Sequence, residues 1–258
     1  MKVSIEKTNL QEILPLRILF LQENNVQIRY NACHERRWTD SYVFIYNSQK
    51  IGYGAIKGNE NYSDRDTAFE FYLIPSFRKF SSVVFPELLQ VSKATLIESQ
   101  SNDFLMTSLL FQYAQNINSE VILFEDSFSS DIKIDHATFR KRTDTDVFFE
   151  HHSEPDGNYV LEINKEIVAT GGFLLHYNMP FADLYIEVKE NYRKQGLGSF
   201  LVQELKKQCY LAGRVPAARC NIENIASRAT LTKAGLKIAG FMLLGKVKND
   251  IFAKKCDE

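Results

Sequence analysis

One stretch of this 258-residue chain limits its fold more than any other. Leu184-Tyr185-Ile186-Glu187-Val188 reads as the end of a β-strand, Lys189 to Gly198 as a short polar loop, and Ser199 to about Leu211 as a helix. A strand that feeds a glycine-containing loop and then a helix suits an anionic ligand. The first helical N–H groups have no intrahelical partner, and the helix dipole is positive at that end. Glycines at Gly196 and Gly198 let a ligand approach the backbone. Leu197, Leu201 and Leu205 recur on one helix face, while Lys206, Lys207 and Gln208 fall mainly elsewhere. The helix is therefore expected to pack on a sheet with its N-terminus at the ligand.

The residues around the loop argue against two common phosphate sites. A P-loop needs lysine and serine or threonine after its last glycine, but Gly198 is followed by Ser199-Phe200. A dinucleotide fingerprint needs a third glycine where Leu201 stands, on the first strand of a parallel unit. A nucleotide-binding protein is thus the least favoured reading.

Composition narrows the partners. The net charge of −1 gives no broad basic face for nucleic acid or anionic lipid. No apolar run approaches the ~20 residues of a membrane span, and Met1 to Lys7 lacks the apolar core of a signal peptide. Cys33, Cys209, Cys220 and Cys256 are widely spaced, without a Cys-x-x-Cys pair. They read as reduced thiols of a cytoplasmic protein, and no metal is expected.

The chain reads as two copies of one element order. In the first half a helix (10–21) precedes strands at 42–46, 51–56 and 68–74, with a hairpin turn at Asn47-Ser48-Gln49-Lys50. A helix (82–93), a strand (94–97), a helix (103–114, Asn102 as N-cap) and a strand (120–124) follow. A polar stretch, 127–146, separates the halves, and its Arg140-Lys141-Arg142 run reads as a solvated loop or helix face. Strands at 159–163, 167–175 and 182–188 then precede the glycine loop and its helix. The paired Gly171-Gly172 suggests a bulge or close backbone approach. A strand (215–220), a helix (226–234) opened by Asn224 and stopped by Gly235, and a strand (241–247) complete the chain. The expected class is α+β, with mixed sheets flanked by helices. The expected division is 1–130 and 131–258, the second copy lacking the long N-terminal helix and the copies packing together.

Arg193-Lys194-Gln195-Gly196-Leu197-Gly198, with Val188 five residues before Arg193, resembles the pyrophosphate motif of GCN5-related N-acetyltransferases. Asn221-Ile222-Glu223-Asn224-Ile225-Ala226-Ser227, ending in Ala234-Gly235-Leu236, resembles that family's next segment. The resemblance covers about residues 136–258, close to the FR47-like branch, and makes the chain a tandem protein of this kind.

The resemblance implies acetyl-CoA held between the strand ending at Val188 and the strand 215–220. Val188 backbone groups would meet the pantetheine arm and the thioester carbonyl, stabilising a tetrahedral oxyanion. Backbone N–H groups of Arg193, Lys194, Gln195, Gly196, Leu197, Gly198 and Ser199 would cradle the pyrophosphate, with Arg193 and Lys194 adding charge. Asn224 and Ser227 would line the same groove, and Arg228 would approach the adenosine phosphate. The acceptor is an amine of a small molecule or protein, and the gene product is expected to be an N-acetyltransferase. Glu187 is the first candidate for the base that deprotonates it and Asp183 the second, since both share a strand face with Tyr185. Many members carry a tyrosine acid seven residues after the asparagine, where this chain has Leu231. Tyr192 and Tyr210 do not match that position, so no acid is assigned. A non-catalytic acetyl-CoA-binding module is therefore the alternative, and a homodimer is compatible with either reading. His176-Tyr177-Asn178 and the glycine pair are read either as lining the acceptor site or, equally, as an ordinary hairpin.

In the first copy Pro75-Ser76-Phe77-Arg78-Lys79-Phe80-Ser81-Ser82 stands at the equivalent position. It keeps an arginine and has no glycine, and Ser101-Asn102-Asp103 echoes the asparagine segment. This half is expected to be a degenerate copy that walls the acceptor site.

Overall fold

The computed structural model describes residues 3–28 and 30–253. They form two compact units: residues up to Glu120 together with Gly240 onward, and Val121–Ala239. Both are mixed sheets with flanking helices. The polar stretch near residue 130 is not the divide. Ser127 and Phe128 N–H groups both donate to Gly235 O, which ties that loop into the second unit. The chain instead changes unit inside two long strands, 114–126 and 236–247. Cys256 lies outside the described residues.

The first unit contains β1 (Ser4–Thr8), α1 (Leu10–Glu23), α2 (Tyr30–Glu35), β2 (Thr39–Tyr46), β3 (Gln49–Lys57) and β4 (Thr67–Leu73). It continues through α3 (Ser81–Ser92), β5 (Leu96–Gln100), α4 (Phe104–Tyr113) and the first part of β6 (Ala114–Asp126). Strands β1 to β5 lie in chain order, and the later part of the final strand joins beside β5. Asn47 and Ser48 take the left-handed conformation that a tight hairpin needs. Asn9 caps α1 by accepting the Glu12 N–H. The cap of α4 is Asp103, whose Oδ1 accepts the Met106 N–H at 3.0 Å, rather than Asn102. The core packs Phe44, Phe71, Phe85, Leu88, Ile97 and Leu110, all buried. Each such side chain contributes about 1.5–3 kcal/mol.

Strands β4 and β5 pair in parallel only at Thr67↔Leu96 and Ala68↔Ile97. Beyond that point β4 carries the fully buried Glu70. Its carboxylate accepts from Arg17 Nη2 (3.1 Å) and Tyr53 Oη (2.8 Å), and meets His34 Nε2 at 3.0 Å. Burial pushes this carboxyl up, but Arg17 and His34 outweigh it and hold it at about 2. The segment after β4, Pro75–Phe80, is a 3₁₀ turn without glycine, and its Phe77 and Phe80 pack on the core.

The second unit contains the rest of β6, then β7 (Ala137–Lys141), β8 (Tyr159–Ile163), β9 (Glu166–Leu174) and β10 (Phe181–Val188). After these come α5 (Leu197–Leu211), β11 (Val215–Asn221), α6 (Ile225–Lys233) and the start of β12 (Leu236–Val247). A short α7 (Asp250–Ala253) in the first unit ends the described chain. The strand order here is β6-β11-β10-β9-β8-β7. No helix lies between β7 and β8; residues 142–158 run there as an irregular segment. The Arg140–Arg142 run ends strand β7 and enters the loop after it: Lys141 and Arg142 are exposed, as a solvated run would be, while Arg140 pairs with Asp146 and Glu162.

Helix α5 buries Leu197, Leu201, Val202 and Leu205 against the sheet. It also buries Lys206, only 5% exposed, contrary to the polar outer face expected. The ammonium donates to Asp126 Oδ1 (2.5 Å), Phe128 O (2.8 Å) and Ala234 O (2.9 Å). Gln203 on the same side accepts from the Ser130 hydroxyl and the Ile132 N–H. The helix thereby binds the 127–134 segment through charge and amide groups that a leucine pattern does not reveal.

Candidate functional site

Strands β10 and β11 pair in parallel only over Phe181–Asp183 and Val215–Ala217. From there β10 continues against β9, as far as Val188↔Ala169, while β11 continues against β6, as far as Asn221↔Val121. The two strands part, leaving a gap with backbone groups on one edge. Lys189 N–H donates to Val168 O on the β9 side. Alternation then turns the Val188 N–H and carbonyl toward the gap. Arg193 Nε donates to that Val188 carbonyl at 3.1 Å.

The gap opens on the N-terminus of α5. One 3₁₀ turn, Glu190–Tyr192, leads to Lys194 and Gly196 in the left-handed region, at φ 63° and 83°. Neither the cap of α5 nor its first turn receives a side-chain hydrogen bond, so the opening N–H groups face outward from the helix end. A Cβ at Gly198 would lie 3.1 Å from Thr230 Cγ2 and 3.3 Å from Ile186 Cδ1. A side chain here would press on both neighbours, so the helix start lies close against β10 and α6. A Cβ at Gly196 would have Ile134 Cδ1 and Lys233 Nζ as nearest neighbours, both 3.6 Å away. Lys233 therefore brings a cation to the glycine loop, which its isolated place in the sequence did not signal.

The other sequence-predicted residues divide by what their side chains do. Arg193, Lys194 and Gln195 are exposed on the loop, Leu197 is core, and the Ser199 hydroxyl donates to Thr230 O. Asn224 caps α6, its Oδ1 accepting the Ser227 N–H at 3.0 Å. Its carbonyl accepts the Arg228 N–H. Leu231 is buried, Tyr210 donates to Asp126, and Tyr192 donates to Glu166.

Glu187 has an unexpected set of partners. Its Oε1 accepts the His152 N–H (2.8 Å), and its Oε2 accepts those of Ser153 (3.0 Å) and Glu154 (2.8 Å). Burial pushes the carboxyl up, but the three backbone donors outweigh it and leave it below the usual carboxylate value. Glu187 thus ties residues 152–154 to β10. His151 reinforces the tie: its Nε2 lies 2.6 Å from Thr170 Oγ1 and its Nδ1 3.0 Å from Asp156 Oδ1. A cleft of about 400 Å³ remains beside this segment. Phe149, Glu150 and His152 line one side, and Val188, Asn191 and Arg193 the other. Asp183 is nearly buried and pairs with His176 Nε2 at 3.1 Å. The glycine pair does allow close approach, since a Cβ at Gly172 would sit 2.7 Å from Tyr185 Oη. The β8–β9 irregularity lies elsewhere, at Leu161/Glu162. Among the described residues no three His, Cys, Asp or Glu side chains gather as a metal-ligand set.

A parted parallel pair opening on a glycine-rich helix start is the geometry shared by one family of acyl-transfer enzymes, and the sequence agrees. Residues 123–236 match the acetyltransferase (GNAT) family model. The second unit is a GNAT acetyltransferase domain. An acetyltransferase of the GNAT family from Colwellia psychrerythraea shares the fold at 13% identity and TM-score 0.70, over 96% of this chain and 100% of that one. A GCN5-related N-acetyltransferase from Sphaerobacter thermophilus does so at 10% identity and TM-score 0.58, over 95% of each chain. A tandem GNAT protein from the clavulanic acid biosynthesis pathway does so at 7% identity and TM-score 0.57, over 95% of this chain and 98% of that one. Such likeness across almost the whole length gives this chain a tandem GNAT fold, and the family match over residues 123–236 makes it an acyltransferase. No curated protein sequence matches it. No described helix is long and apolar enough to cross a membrane.

Proposed function

We propose that the second unit transfers the acetyl group of acetyl-CoA to a primary amine. The observation that carries this reading is the gap between β10 and β11 opening directly on the start of α5. There a side chain at Gly198 would crowd Thr230 and Ile186, and Lys233 adds a cation near Gly196. A pyrophosphate fits this cradle: N–H groups of Arg193 to Ser199 bind it, aided by the helix dipole and the charges of Arg193, Lys194 and Lys233. The Val188 backbone, turned toward the gap, suits the pantetheine amides and an acyl oxygen gaining negative charge. Asn224 and Ser227, at the start of α6 after β11, would meet the pantetheine arm in this reading. When bound, acetyl-CoA supplies an acyl carbon activated as a thioester.

The first unit is not assigned a second acetyl-CoA. Its equivalent turn, Pro75–Phe80, has no glycine and packs two half-buried phenylalanines against the core. A cytoplasmic location is in keeping with the cosubstrate and with Cys209 and Cys220 standing as buried thiols. One observation favours a non-catalytic acetyl-CoA-binding module: the buried Leu231 stands where a tyrosine acid would serve the leaving sulfur. Release of free CoA from acetyl-CoA over a panel of primary amines separates the readings. Amine-dependent release is expected; acetyl-CoA binding without release on any amine supports the module.

A further inference from the structure

The cleft beside the gap has one wall set by the irregular segment 142–158, and two ties fix where that wall stands. Thr170 on β9 and Glu187 on β10 face each other across the strand pair, next to the pair of Ala169 and Val188. His151 Nε2 lies 2.6 Å from Thr170 Oγ1, and the His152 N–H donates to Glu187 Oε1 at 2.8 Å. Both ties therefore hold the segment against the strand end that carries Val188. Phe149 comes with it. Its ring stacks on the His151 imidazole, with centroids 4.5 Å and planes 15° apart, and its carbonyl lies 3.0 Å from His151 Nδ1. The Phe149 side chain is half-buried and lines the cleft across from Val188. Phe149 and Lys189 also line a second cleft of about 500 Å³, with Arg140, Val147 and Ile167. These two residues thus stand between the clefts.

Three polar groups at the first cleft are already engaged. The Glu187 carboxylate is filled by three N–H groups, Lys189 Nζ pairs with Glu166, and Arg193 Nε donates to Val188 O. What remains toward the cleft is largely carbon: the Phe149 ring, the Val188 side chain and the stems of Lys189 and Arg193. Glu150 and Glu190 line the same cleft and are exposed, and their charge favours a cation over an acid. We propose that the acceptor is a primary amine on a compact apolar body, and that Phe149 is the specificity-determining residue that packs on this body and limits its size. This rests on the acetyl-transfer reading above, which puts the acyl group at Val188. Carbon packed on the Phe149 ring leaves water favourably, whereas a hydroxyl on the same ring gives up water for no hydrogen bond. A body too large for the first cleft meets Phe149 before it can enter the second.

The test uses the full chain, wild type and Phe149→Ala and Phe149→Leu, with acetyl-CoA and three amines. Pentylamine and linear aminobutanol match in length, but one ends in a methyl group and the other in a hydroxyl; naphthylethylamine is bulkier than either. Calorimetry first measures acetyl-CoA binding, which is expected to be unchanged in both variants. Wild type is expected to favour pentylamine over aminobutanol by about tenfold in kcat/KM. The difference should lie in KM more than in kcat, because the remote end packs alike in ground and transition states. Phe149→Ala should reduce that preference to about twofold and raise the rate with naphthylethylamine relative to pentylamine. Phe149→Leu, which keeps an apolar side chain there, should retain most of the preference. Equal rates with pentylamine and aminobutanol in wild type, or faster reaction of aminobutanol, would overturn the apolar acceptor. A preference unchanged in Phe149→Ala would overturn the role of Phe149. Wild type that binds no acetyl-CoA, or binds it and releases no CoA with any amine, would instead overturn the acetyl-transfer reading.

Discussion

Replacing Glu187 by glutamine tests whether this residue is a clamp. The carboxylate offers two oxygens to three N–H groups: Oε1 to His152, and Oε2 to Ser153 and Glu154. Glutamine has one oxygen, and its NH₂ group would face at least one N–H donor. One charge-assisted bond is lost and the others become neutral. Such bonds contribute about 1.5–3 kcal/mol each. Residues 152–154 are exposed, so water replaces part of the loss, and about 2 kcal/mol remains. Because the segment lacks secondary structure of its own, the loss should appear as local opening rather than global unfolding. Hydrogen exchange of a peptide spanning 148–158 reads it directly. Exchange should quicken about 30-fold, with the strands unchanged. The pH dependence follows from the lowered carboxyl. The clamp is fully present above about 4.5, the ordinary glutamate value, and is lost as pH falls through the lower folded value. Wild-type exchange in this segment should therefore rise on acidification relative to the variant. Equal protection of 152–154 in wild type and variant would refute the clamp.

Three further substitutions test other parts of the account. Gly198→Val places a branched side chain where even a Cβ lies 3.1 Å from Thr230, and acetyl-CoA affinity should fall about tenfold or more by calorimetry. Lys233→Ala removes the cation near Gly196; affinity should fall roughly threefold, with a weaker dependence on salt. Glu70→Gln leaves Arg17 buried without its counter-charge, and denaturant unfolding should show a loss of about 3–5 kcal/mol. Glu70 is held at about 2, so its contribution is present above about 4.5 and is lost as pH falls toward 2. In the variant that acid-dependent loss should be absent.

The strand, glycine loop and helix start at 181–211 were legible because they are local, adjacent in sequence, and the glycine positions report the tight turn and the close packing. Tight hairpins were legible for the same reason, as at Asn47-Ser48, and so was the capping role of Asn224. What the sequence hid depends on contacts between distant residues. The clamp of Glu187 acts on backbone N–H groups, which have no side-chain signature. Lys206 looked like solvated surface, yet it is buried by Asp126 and two carbonyls from distant segments. Strand β7 carries arginine and lysine because it is the last strand in its sheet order, where charge is tolerated on an edge. The first unit also ends in sequence brought from the C-terminus, which no boundary signal near residue 130 announces.

The central claim is that one of the two GNAT-like units holds acetyl-CoA, at the loop Arg193–Ser199. Calorimetric titration of the full chain with acetyl-CoA tests this most directly. The account predicts saturable binding at one site per chain, lost in Gly198→Val. No binding, two equivalent sites per chain, or full affinity in Gly198→Val would contradict it.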